Sequence, residues 1–307
     1  MRVLVTGGNG FIGQYVCNEL VDQKHHPVVL DNQRRRGSPM DMFLGDVRDD
    51  VAVTEAAAHV DGIIHLAAVL GTQETIQNPR PSAITNIMGA LNVFEAAAQY
   101  DLPVVYIGVG NHWMRDYGTG AYTISKTAAE DFARMFNAYR NGRITIVRPV
   151  NAYGPGQSVA APFGTSKVRK IMPSFICRAL SGMPIEVYGS GDQVSDMVYV
   201  KDVARALVAA LDSGVEGPIE VGPSVSLTVN VVAKMVAGEC ATHTGHKVDL
   251  THLPMRPGEV PESRVNADTS TLHDIGLNAN QFLPLKSGIR NAVDWYVENE
   301  GRVWSKP

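Results

Sequence analysis

The chain has 307 residues, 45% of them apolar, with 27 basic and 31 acidic side chains and a net charge of −4. That is enough apolar material for a sizeable core, which excludes disorder for want of it, and no apolar run approaches the ~20 residues that span a bilayer. The mild acidity argues against a protein that holds nucleic acid by neutralising phosphates.

Met1 leads directly into a strand-like run, without the charged, apolar and small-residue progression of a secretory signal. A soluble, cytoplasmic protein is expected. The thiols of Cys17, Cys177 and Cys240 are far apart and odd in number, so neither a disulfide framework nor a metal knuckle is on offer. His243 and His246 have no further ligand at a useful spacing and read as a surface loop, so no metal is expected.

In chain order, short apolar runs at 3–5, 27–30, 63–66, 103–107 and 144–147 read as strands buried on both faces. Between them lie stretches of helical spacing, the clearest over 82–100, where Ile84, Ile87, Met88, Leu91 and Phe94 form one stripe and Ala90, Val93 and Ala97 broaden it. The stretch 128–139 is similarly broad. Such helices can pack on a sheet and also on a partner helix, so the pattern fits a homodimer interface and fits a wholly intramolecular core almost as well. The alternation predicts an α/β doubly wound parallel sheet of the Rossmann type over 1–150. From Asn151 on, Pro and Gly become denser, so 151–307 reads as a smaller C-terminal substrate-binding lobe, with some exchange of chain between the two. Helices are expected to return at 202–211, 228–238 and 287–299.

The first strand is followed by Thr6-Gly7-Gly8-Asn9-Gly10-Phe11-Ile12-Gly13. Glycines there permit a tight turn, close approach of the backbone to a pyrophosphate, and a helix laid close to the sheet. The diphosphate then meets the positive end of that helix. Asp31, at the end of the second strand, can accept from a ribose diol and repels a 2′-phosphate, which favours NAD; Arg34, Arg35 and Arg36 just beyond it argue the other way and read as a solvated loop.

Tyr122-Thr123-Ile124-Ser125-Lys126 sets a phenol and an ammonium one helical turn apart. A cation held close favours the phenolate, which can take a proton from an alcohol while hydride leaves the same carbon. With this pair in place, the sequence resembles the extended short-chain dehydrogenase/reductase family, in particular its nucleotide-sugar 4-epimerases and dehydratases, over almost the whole chain.

The resemblance implies further roles. Gly7, Gly10, Phe11, Ile12 and Gly13 would form the cofactor turn, with Asp31 and Asn32 at the ribose and Asp46 and Val47 at adenine. Leu66, Ala67 and Ala68 after His65 would line the cofactor, with Asn86 near the active centre, Pro149 beside the nicotinamide, and Tyr122 and Lys126 touching both cofactor and substrate. Asn151, Val187, Tyr188 and Arg256 fall in motifs that hold the nucleotide sugar, with a UDP-sugar expected. The implied activity is 4-epimerisation through a transient 4-keto sugar, with dehydration, reduction or decarboxylation, or a noncatalytic NAD-binding scaffold, as alternatives.

The chain departs from the family twice. Val109 or Gly110 stands where the family supplies a Ser or Thr hydroxyl; Asn111, His112, Thr119 or Thr123, or a water, could replace it. Gly110-Asn111 also lacks the acid pair that a 4,6-dehydratase needs there. Ser195 stands where an arginine usually holds the diphosphate, which shifts that task to Arg256 and to Lys167, Arg169 or Lys170.

Overall fold

The computed structural model describes residues 1–34, 40–117 and 120–307, without the side chains of Arg115 and Tyr117. Its first half runs β1 (Arg2–Thr6), α1 (Phe11–Asp22), β2 (His26–Asp31), β3 (Asp41–Leu44), α2 (Asp50–Ala57) and β4 (Gly62–His65). One long helix follows, built of α3 (Arg80–Ser82), a π-helical stretch (Ala83–Met88) and α4 (Gly89–Tyr100). Then come β5 (Val104–Ile107), a 3₁₀ segment (His112–Tyr117), α5 (Ala121–Tyr139) and β6 (Ile144–Pro149). The second half comprises β7 (Asn151–Tyr153), α6 (Ile171–Leu180), β8 (Ile185–Tyr188), β9 (Val194–Ser195), β10 (Met197–Tyr199), α7 (Val200–Ser213), β11 (Ile219–Val221), α8 (Val229–Thr244), β12 (Leu250–Leu253), β13 (Arg264–Val265) and α9 (Leu285–Glu298).

Seven strands form one parallel sheet in the order β3-β2-β1-β4-β5-β6-β11. Alternation along each strand divides the core. Val3, Val5, Ile64, Val105 and Val147 face α1 and α7 on one side of the sheet. Leu4, Ile63, Val104, Tyr106 and Ile146 face α2, α4 and α5 on the other. Both faces are covered, as the continuous apolar runs predict. The edge strand β3 escapes that pattern because Leu44 is 54% exposed and no apolar run marks it.

The order reverses between β1 and β4, and a ligand crevice forms outside the carboxyl ends of strands at such a switch point. The turns after both strands lie there. A separate core gathers α6, α8 and α9 around β8, and three two-stranded parallel pairs, β7 with β10, β8 with β12 and β9 with β13, frame the far side of the crevice. Helix α8 extends through Thr244, so His243 belongs to a helix rather than a loop, where it meets Asp294 at 3.0 Å. Among the described residues, no helix is long and apolar enough to cross a membrane, and no cluster of three or more His, Cys, Asp or Glu could hold a metal.

Candidate functional site

A cleft of about 800 Å³ runs from Asp31, at the end of β2, across the ends of β1, β4 and β5 to Arg256 in the second half of the chain. At its first end, Gly7 has φ +69° and a Cβ there would stand 2.9 Å from Cα and N of Ala67. Only glycine lets the turn after β1 touch the turn after β4. Helix α1 begins at Phe11 with no side-chain cap and no acidic residue in its first turn. Its leading N–H groups thus keep their positive end for the cleft, which Gly10, Phe11, Ile12 and Gly13 line.

The Asp31 carboxylate is set by two backbone donors, Asn9 N–H and Gln33 N–H, each at 3.0 Å. Asn32, Asp46 and Val47 line the same end. Arg48 forms a bidentate pair with Asp46 at 2.8 and 2.7 Å, and this guanidinium holds the Asp46 carboxyl down at about 2. Leu66, Ala67 and Ala68 cover the floor, and Pro149 lies beyond β5. These residues fit a dinucleotide: an uncapped helix start for its diphosphate and a pre-set carboxylate for a ribose diol. Of the three arginines that argued for a 2′-phosphate, Arg34 is exposed, and Arg35 and Arg36 lie outside the described residues.

Tyr122 and Lys126 both line the cleft from the start of α5. The loop after β4 sets that start. Thr75 Oγ1 accepts from Tyr122 N–H at 3.2 Å, and Gly120 is needed because a Cβ there would collide with the carbonyl of Thr72. Lys126 is 2% exposed and its Nζ sits over the ring of Tyr106, 4.0 Å from the centroid. Burial pulls its ammonium down to about 7, against the attraction of Glu130, and pushes the Tyr122 phenol up to about 12. Burial thus disfavours the charged form of both side chains.

Two expected residues lie outside the cleft wall. Asn86 is buried and binds protein: it accepts from Val69 N–H at 2.7 Å and donates to Val69 O and Ser125 Oγ at 3.0 and 2.9 Å. It ties the loop after β4 to α5 from within the π-helical stretch. Val187 is fully buried in the lobe core; the alternation of β8 turns Glu186 and Tyr188 to the cleft instead. Asn151 and Arg256 line it as expected.

Of the three described candidates for the missing hydroxyl, Asn111 alone is placed in the wall. Thr123 is fully buried and faces away, His112 sits in the 3₁₀ segment off the cleft, and Thr119 lies outside the described residues. In the basic trio, Arg169 and Lys170 line the cleft and Lys167 does not. Sequence reasoning missed Thr85, Glu74 and Glu186 in the same wall. For Glu186 the period of two in Ile185-Glu186-Val187-Tyr188 was the available signal.

The family model described as the NAD dependent epimerase/dehydratase family matches residues 3–222. The chain belongs to this family. The cofactor reading from Asp31 and the glycine turn agrees with that NAD dependence. Among curated relatives, the chain is 28% identical to a dTDP-glucose 4,6-dehydratase of Mycobacterium tuberculosis, across 100% of this chain and 96% of that one. It is 27% identical to a UDP-N-acetyl-alpha-D-glucosaminuronate decarboxylase of Bacillus cytotoxicus, across 97% and 98%. Among solved structures, UDP-glucose 4-epimerase of Thermus thermophilus in complex with NAD is 28% identical, with a TM-score of 0.82, over 99% of this chain and 100% of that one. Family members of similar identity thus carry out different chemistries on nucleotide sugars.

Proposed function

We propose that the protein is an NAD-dependent nucleotide-sugar 4-epimerase acting on a UDP-sugar. One observation carries the reading: Tyr122 and Lys126 face a single cleft with the glycine turn at one end and Arg256 at the other, and its wall after β5 presents Gly110-Asn111 with no carboxylate. A dehydratase needs an acid and a base there to remove a C5 proton and expel the C6 hydroxyl, and an amide does neither.

Bound NAD supplies the acceptor and then the donor of hydride and adds a positive ring to the cleft. Tyr122 exchanges the proton of the sugar O4, and the buried Lys126 ammonium stabilises the oxyanion side of that exchange. Residues 151–307 anchor the nucleotide end through Asn151, Tyr188 and Arg256. A sugar held by its nucleotide is free to turn, so the 4-keto intermediate can present either face.

The reading includes a homodimer. Ile84 and Met88 on the π-helical stretch and Ile124, Phe132 and Tyr139 on α5 are exposed, Tyr139 by 82%. This apolar face on packed helices suits a second copy.

The deciding experiment is proton NMR of UDP-, dTDP- and GDP-sugars incubated with the protein, with Tyr122→Phe as control. Interconversion of a pair of 4-epimers, lost in the control, is expected. Loss of the C6 hydroxyl, net consumption of NADH, or activity that survives Tyr122→Phe would overturn the reading.

A further inference from the structure

The far end of the cleft is crowded with charge. Arg169, Lys170 and Arg256 line it together with Glu74, Glu186 and Glu259. Both arginines lie against the ring of Tyr188, with Arg169 5.3 Å and Arg256 4.9 Å from its centroid. Arg169 also donates to the Tyr188 hydroxyl at 2.6 Å and to Ser174 Oγ at 3.1 Å, and pairs with Glu186. Arg256 pairs with Glu259 and keeps a buried Nε that has no hydrogen-bond partner.

Glu186 is shared. Its other oxygen meets Arg178 Nη1 at 2.9 Å, and Arg178, buried behind the wall, donates its Nε–H to Pro184 O at 2.6 Å. The Arg169–Glu186–Arg178 triad thus has two cations on one carboxylate, and only Arg178 lies away from the cleft. If Arg169 turns to an incoming anion, Glu186 stays neutralised by Arg178. Little uncompensated charge is left behind, which is the usual reason for breaking a partly buried pair to be costly.

We infer that Arg169 is a phosphate-binding residue, released from Glu186 by ion-pair exchange when the diphosphate of the substrate enters beside Tyr188. This inference rests on the nucleotide-sugar reading. The guanidinium fork suits a phosphate edge as it suits a carboxylate. Tyr188 restrains the guanidinium by ring contact and hydroxyl, so exchange needs only a small swing of its head. Glu186 then acts as an internal competitor that weakens binding, and Arg256, with a donor to spare, takes the other side of the anion.

The test is calorimetric titration of the NAD-saturated protein with UDP, dTDP and GDP, and with uridine as the phosphate-free probe. Arg169→Gln is expected to weaken nucleoside diphosphate binding by about tenfold and to leave uridine and NAD binding unchanged. Glu186→Gln is expected to tighten UDP binding about threefold by removing the competitor. Arg169→Lys, which keeps the charge and loses the fork, should fall between wild type and Arg169→Gln and serves if the latter fails to fold. Equal loss for UDP and uridine marks a merely structural arginine and overturns the assignment, as does UDP binding unchanged in both Arg169 variants. If wild-type protein binds none of the three diphosphates, the nucleotide-sugar reading falls instead.

Discussion

Tyr106 holds Lys126 at both ends: its ring lies 4.0 Å beneath the ammonium, and its hydroxyl donates to the Lys126 carbonyl at 3.1 Å. A buried cation has lost its water, and the electron-rich ring face of a strand residue replaces part of that hydration. Tyr106 is itself locked by Phe94, edge-on at 5.7 Å, and by His65 at 5.8 Å. Tyr106→Leu should cost ~3 kcal/mol and Tyr106→Phe ~1 kcal/mol, since the second keeps the ring and loses one hydrogen bond. Urea denaturation of the two variants checks this; equal costs would mean that the ring contact contributes nothing.

Stability should depend on pH through two buried bases. Lys126 falls from an ordinary 10.5 to about 7 and His65 from 6.5 to about 3, each chiefly by burial. Between the two values of each group, the unfolded chain holds a proton that the folded chain lacks, so unfolding takes one up and stability rises with pH. The gain spans about pH 7 to 10.5 for Lys126. For His65, stability is lost as pH falls from about 6.5 toward 3. Denaturation midpoints of Lys126→Met should lose the upper slope, by a few kcal/mol across the window, and those of His65→Asn the lower.

The two positions after β5 should respond very differently to a hydroxyl. A Cβ at Gly108 would press on Glu130 and stand 3.1 Å from Arg148 Cγ. Those residues form a buried ion pair at 2.5 Å, with side chains 1% and 8% exposed. Gly108→Ser should cost ~3–5 kcal/mol by disturbing this pair, and Val109→Ser, which disturbs only packing, ~2 kcal/mol. Thermal melting of both variants tests the order.

Gly7→Ala should weaken NAD binding by at least about tenfold and destabilise the fold by ~2 kcal/mol, because its positive φ and the nearness of Ala67 leave no room for a methyl group. Quenching of protein fluorescence by NAD, read beside a melting curve, separates the two effects.

Met88→Lys combined with Ile124→Lys should convert a dimer to a monomer, with secondary structure unchanged, since both side chains are half-exposed on the apolar helix face. Light scattering coupled to gel filtration measures this; a wild-type monomer would refute the dimer.

Strands β1, β2, β4, β5 and β6 were legible because a strand covered on both faces must be apolar throughout. Strand β3 was not, because an edge strand with Leu44 in solvent needs no such run. At the site, the glycine turn, Asp31, Tyr122 and Lys126 were expected from their spacing together with their order along the chain, and one cleft gathers them. Val187 was misplaced although the alternation of β8 signalled it. The seat of Lys126 on Tyr106 and the hold of Arg169 on Glu186 join residues 20 and 17 positions apart, and no local pattern encodes such meetings. The π-helical stretch that carries Asn86 likewise leaves no mark in apolar spacing.

The sheet is closed at one edge by Ile219–Val221, which pairs with β6 from 72 residues downstream, as where Val147 meets Ile219 and Pro149 meets Val221. During synthesis, therefore, β6 is made with one edge bare, and that edge is sealed only once residues 219–221 have followed. A chain cut short anywhere between 150 and 218 lacks β11 and leaves a hydrophobic parallel edge able to pair with another chain. The return of the chain that brings β11 back to β6 thus also makes early termination hazardous.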